Sequence, residues 1–121
     1  SEYLDYEKAI YWFEQAAEEE DVIAINNLGW IYENGFGVEQ DYATALNYFY
    51  RAAEAGYAVA QCNVGRYYIE QRGGMPNDID HAKHWLQLSA DQGYERAVQL
   101  LEELRDKPAP GDGGFWKKLF S

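Results

Sequence analysis

The sequence holds one cysteine, Cys62, so no internal disulfide framework staples this chain. That is compatible with the cytoplasm and leaves the periplasm open. No apolar run approaches the roughly 20 residues that a membrane-spanning helix needs, and Ser1-Glu2-Tyr3-Leu4 is not the start of a signal peptide. Basic charge is scarce. Ten Lys/Arg stand against twenty-one Asp/Glu, a formal charge of −11, which argues against a general binder of nucleic acid, since phosphate demands basic patches. No phosphate-cradling glycine loop is present, because "NGFGVEQ" follows a helical segment rather than a strand. At 121 residues and with globular apolar content, the chain fits one domain with a modest core.

What the chain has is repetition. "YEKAIYWFEQAAEEED" (6–21), "YATALNYFYRAAEAGY" (42–57) and "IDHAKHWLQLSADQGY" (79–94) are versions of one segment. Ala9, Ala45 and Ala82 align, as do Trp12, Tyr48 and Trp85. A second segment alternates with it: "AINNLGWIY" (24–32), "AQCNVGRYY" (60–68) and "AVQLLEEL" (97–104). The offsets are 36 and then 37 residues, with the extra residue in the turn "QRGGMPND". Apolar and small positions recur at steps of three and four, as in Ala45, Leu46, Phe49, Ala52 and Ala53, which is helical period. The pattern predicts helices near 5–19, 22–33, 42–55, 58–70, 79–92 and 95–105. Asp41 and Asp78 are placed to cap helix N-termini, and Gly56 and Gly93 to end helices in the left-handed conformation. Gly29 and Gly65 lie mid-helix, where glycine costs about 1 kcal/mol against alanine, a cost usually offset by the close approach of a neighbouring helix. Ala45, Ala52 and Ala53 would supply the matching shallow surface, with Tyr32, Tyr68, Phe49 and Trp85 filling the spaces between helix pairs. No pair buries both its faces alone, so stability comes from stacking.

The residues 24–56 read A-x-x-x-L-G-x-x-Y-x-x-G-x-G-V-x-x-D-Y-x-x-A-x-x-Y-F-x-x-A-A-x-x-G, and this resembles the Sel1-like repeat family, relatives of tetratricopeptide repeats. The resemblance covers about residues 5–105. The 37-residue unit keeps Gly65, Tyr68, Gly74, Asp78, Ala82 and Gly93, with Arg72 and Met75 where the pattern has Gly and Val. The last unit has Leu101-Glu102 in place of Leu-Gly. The first lacks its leading helix, which reads as a cut inside a longer array.

The resemblance implies an all-α, right-handed α-α superhelix of antiparallel helix pairs acting as a non-catalytic adaptor that binds a protein or peptide on its concave face. Such proteins abound in bacteria, so a bacterial source is expected, with the cytoplasm favoured and the periplasm open; no cofactor is expected. The family's cysteine-rich branch, associated with β-lactam hydrolysis, has a hallmark that this chain lacks. In related superhelices the first helix of each pair lines the concave face. By position that gives Ile23, Asn26, Asn27, Trp30 and Glu33, then Val59, Cys62, Asn63, Arg66 and Ile69, then Arg96, Gln99 and Glu103. Asn side chains there suit an extended peptide backbone and Trp30 suits an aromatic anchor, although Asn27 and Asn63 equally satisfy local backbone groups.

Catalytic and metal readings are weaker. His81 and His84 lie one helical turn apart near Asp78 and Asp80, which solvent-facing helix positions explain as well as metal ligation does. Cys62 has no histidine at a catalytic spacing. Glu18-Glu19-Glu20-Asp21 lacks the glycine turn of a calcium loop and reads as a solvated helix end. A thiol- or metal-dependent hydrolase is the rival from another class.

The organisation is therefore a repeat array over 1–106, a Pro/Gly linker over 107–114 and an aromatic-basic tail over 115–121. Six Lys/Arg against nineteen Asp/Glu precede residue 105; four against two follow from there. On a helix, Phe115, Trp116, Leu119 and Phe120 form one apolar face with Lys117 and Lys118 opposite. The tail falls where the repeat is due its next second helix, so a cap on the end of the solenoid is one reading. The other is a short motif docking in a groove of this chain, of another copy or of a partner. "WKKLF" loosely resembles the ending of bacterial sliding-clamp motifs, without their leading Gln. Membrane insertion is weaker, because six residues bury little.

Overall fold

The computed structural model describes residues 2–105, with side chains from residue 5 onward, and the tail lies outside the described residues. Described are helices α1 (Glu2–Glu18), α2 (Val22–Asn34), α3 (Tyr42–Glu54), α4 (Ala58–Glu70), α5 (Ile79–Asp91) and α6 (Glu95–Arg105), with a 3-10 turn at Arg72–Gly74 between α4 and α5. No strand occurs among them. The helix limits lie within three residues of the sequence expectation.

Three helices start on an aspartate. Asp41 Oδ1 accepts from the backbone N–H of Ala43 at 3.0 Å and of Thr44 at 3.2 Å, and the Thr44 hydroxyl donates to its other oxygen at 2.8 Å. Those donors favour the ionised form, the Thr44 hydroxyl most, so the Asp41 carboxyl is held below its usual range. Asp78 caps α5 by accepting from His81 N–H at 3.1 Å. Asp21, read from sequence as the end of an acidic run, is a third cap, accepting from Ile23 and Ala24 at 3.0 and 3.2 Å. Asp21→Ala should lower stability by about 1 kcal/mol in urea unfolding, the usual worth of such a cap. A change under about 0.3 kcal/mol would contradict that assignment.

The mid-helix glycines mark helix crossings. A Cβ on Gly29 would lie 2.7 Å from the Phe49 ring and 3.1 Å from the Ala45 carbonyl. On Gly65 it would lie 2.8 Å from Leu86 Cγ and 3.1 Å from the Ala82 carbonyl. These are the same contact one repeat apart. It brings α2 onto α3 and α4 onto α5 at glycine distance, and the alanines buried there are Ala45 and Ala82. Gly29→Ala therefore sets a helix-propensity gain of about 1 kcal/mol against an overpacking loss of about 1–3 kcal/mol, since Phe49 is only 1% exposed and has little room to yield. The expected outcome is a net loss of up to about 2 kcal/mol, and a stabilised variant would refute the close approach.

Aromatic rings fill the remaining gaps. Phe49 meets Tyr67 edge-on at 5.6 Å, Tyr32 stacks on Tyr48 at 5.8 Å, and Trp85 meets Tyr50 at 5.4 Å. The long turns follow the repeat with one correction. Gln71, not Arg72, takes the left-handed position of Gly35, with φ of 59° against 71°. Gly37 packs on Tyr6 and Ile10, and Gly73 packs on their counterparts Tyr42 and Leu46. Gly73 is thus the partner of Gly37, and Gly74, aligned with it in the sequence reading, is the inserted residue.

Candidate partner-binding face

Helices α2, α4 and α6 lie on one side of the array. The Asn63 side-chain amide donates to Asn26 Oδ1 at 3.2 Å, and Arg66 Nη2 meets Glu33 Oε1 at 2.9 Å, so α2 and α4 run side by side. The charge of Arg96 on α6 reaches Cys62 on α4. Of the side chains expected on this face, Ile23, Trp30, Arg96, Gln99 and Glu103 are exposed, while Asn27, Glu33, Val59, Asn63 and Arg66 are half-buried. Three differ from expectation. Ile69 is 0% exposed, Cys62 3% and Asn26 7%, because the stripe that each helix turns inward is wider than the spacing rule assumed. These three belong to the packing under the face and offer a partner almost no surface.

The face has two chemically distinct parts. At its α2 end Trp30 is 48% exposed, and its ring lies 4.8 Å from Phe36, which stacks on Tyr6 at 5.1 Å. The three rings form a continuous aromatic ledge from α2 across the turn to α1. The second part is a four-membered ionic cluster. Arg66 bridges Glu33 and Glu70 at 2.9 and 3.7 Å, and Arg72 bridges the same two carboxylates at 3.5 and 2.7 Å. Arg72 also lies 4.6 Å above the Tyr42 ring. Burial raises the Glu70 carboxyl above its usual range, and the two guanidiniums pull it back. Burial, then the Glu33 carboxylate, pushes the Tyr67 hydroxyl far up and keeps it neutral. Glu70, Arg72, Phe36 and Tyr6 were missed from sequence. Phe36, Arg72 and Tyr6 sit outside the α2, α4 and α6 stripes used there; Glu70 follows Ile69 at the end of α4.

The catalytic candidates have other environments. Burial pushes the Cys62 thiol up to about 11, against the opposing pull of Arg66 and Arg96, so the reactive thiolate is scarce. His81 pairs with Asp78 and stacks on Tyr68, and His84 lies edge-on to Trp85. Among the described residues no three or more His, Cys, Asp or Glu side chains gather as a metal site would require. None of the described helices is long and apolar enough to cross a membrane.

The Sel1 repeat matches this chain at residues 2–21, 22–57 and 58–94, the first match being the single helix α1 and the other two complete helix pairs. A solved Sel1 repeat protein from Oxalobacter formigenes is 39% identical and superposes with a TM-score of 0.74, covering 78% of this chain and 70% of that one. Among curated relatives, an F-box protein of Arabidopsis thaliana is 35% identical over 78% of this chain and 25% of its own length. A Sel1-repeat-containing protein of Escherichia coli is 31% identical over 83% of this chain and 46% of its own. The chain thus spans less than half of the curated relatives it matches, and these include plant and viral as well as bacterial proteins. With its repeats, helix crossings and solenoid neighbours in agreement, the chain belongs to the Sel1 repeat family, which generally supplies protein-interaction scaffolds.

Proposed function

We propose that this chain is a non-catalytic adaptor that binds an extended segment of a partner protein along the concave face lined by α2, α4 and α6. The observation that carries this reading is the aromatic ledge: Trp30 is half exposed yet already held by Phe36, so little ordering cost remains when a partner covers it. Asn27, Asn63 and Arg66 lie further along the face, where polar side chains suit a peptide backbone. The strongly acidic body favours partner segments that carry basic residues.

Affinity capture from the native cell extract, with wild type beside Trp30→Ala, tests this. The variant should lose the specific partner by about tenfold or more, the usual effect of truncating an aromatic anchor. Its thermal unfolding should stay within about 2 °C of wild type, because Trp30 is a half-exposed surface residue. Equal capture by both proteins would overturn the assignment of the face.

A further inference from the structure

The last described helix pair forms a seat. A groove of about 450 Å³ opens between α5 and α6, lined among others by Gln87, Ala90, Val98, Leu101, Glu102 and Arg105. Thirty-seven residues earlier the same positions are Tyr50, Ala53, Gln61, Val64, Gly65 and Tyr68. Those are the residues on and around which α5 rests. Tyr50 meets Trp85, Gly65 lies under Leu86, Tyr68 stacks on His81, and Gln61 accepts from Gln92 at 3.0 Å. In that earlier copy Ala53 and Val64 are 1% and 0% exposed, whereas Ala90 and Leu101 remain half-uncovered. The groove therefore has the shape and place of a seat for one more second helix.

Register names the occupant. Second helices begin 20 and 21 residues after the first helices that precede them, Tyr42 after Val22 and Ile79 after Ala58. From Glu95 the next is due at 115 or 116, where the sequence reads Phe115-Trp116-Lys117-Lys118-Leu119-Phe120. This is the apolar segment that follows α6. A second copy's α1 fits less well. Its Phe13 occupies the repeat position of Leu86, and Glu102 stands where Gly65 allows that side chain to approach. The apolar residues of the tail all precede the counterpart of Leu86, so they meet no such obstacle.

We infer that residues 115–120 of this same chain dock in the α5–α6 groove and cover the end of the solenoid. Hydrogen exchange of the whole chain tests it, comparing wild type with a variant in which Phe115, Trp116, Leu119 and Phe120 are all serine, and with Leu101→Asp in the groove. Both variants should speed amide exchange in α6 by about tenfold and leave α2 unchanged. Unchanged α6 exchange in the serine variant would overturn the inference. So would protection of α6 that grows with protein concentration alongside a dimer in sedimentation, because the occupant would then be another copy.

Discussion

Phe49→Ala should destabilise the chain by about 3–5 kcal/mol, the range for emptying a fully buried aromatic site. Phe49 is 1% exposed and is held from two sides, by Gly29 of α2 and by the Tyr67 ring of α4. It is therefore shared by two helix interfaces, and in a stack where each repeat meets only its neighbours the loss falls on both. Domains of this size usually have about 5–15 kcal/mol in hand, so the substitution removes a large fraction of the total. It should also weaken the coupling between helices before and after α3, seen in urea as a broader transition with a lower m-value. The Gly29 contact supplies an internal check. Gly29→Ala harms the wild type by crowding Phe49, but in the Phe49→Ala background the added methyl enters the vacated space. The two changes should be non-additive by about 1 kcal/mol or more in a double-mutant cycle. A loss under about 1.5 kcal/mol for Phe49→Ala would mean that the site collapses freely and that the crossing is loose.

The helices, their order and the crossing glycines were legible because each leaves a local or periodic mark. Gly29 and Gly65 are conspicuous in helical pattern, and their partners Ala45 and Ala82 recur in phase. The same logic misplaced Ile69, Cys62 and Asn26. A helix pressed between two neighbours buries a wider stripe than one lying on a single surface, and sequence spacing does not report how many neighbours it has. The ionic cluster was illegible for a different reason. Glu33 and Arg66 are 33 residues apart, out of phase with the 36-residue repeat, so self-comparison passes over them. The seat beside α6 shows only once the register is laid onto three dimensions, where the seating of α5 one repeat earlier shows what such a groove holds.

Removing one cation from that cluster has the second-largest expected effect. The side chains of Glu33 and Glu70 are only 12% and 10% exposed, and Arg66→Ala leaves both carboxylates Arg72 as their cation. Breaking a buried pair typically costs about 3–5 kcal/mol, and the surviving Arg72 contacts should hold the loss to about 2–3 kcal/mol at pH 7. The pH dependence gives the cause. Glu70 already titrates above its usual range because burial penalises its charge. A carboxyl raised in the folded state favours folding when protonated, and that contribution is lost as pH rises through the folded value. Without Arg66 the Glu70 carboxyl is raised further, so the deficit of the variant should be largest at neutral pH and shrink as pH falls toward about 4.5. The caps move in the opposite sense and in a lower window. Asp41 and Asp78 are held below their usual range, so their support is present above about 3.8 and fades only under more acidic conditions. Urea unfolding of wild type and Arg66→Ala at pH 7 and pH 4.5 separates the two effects. Adding Glu70→Gln to Arg66→Ala should recover about 1 kcal/mol at pH 7 and almost nothing at pH 4.5, because the second change removes a charge that acid has already neutralised. A deficit equal at both pH values would show that Arg66 acts by packing its aliphatic stem and not by holding the Glu70 carboxylate ionised.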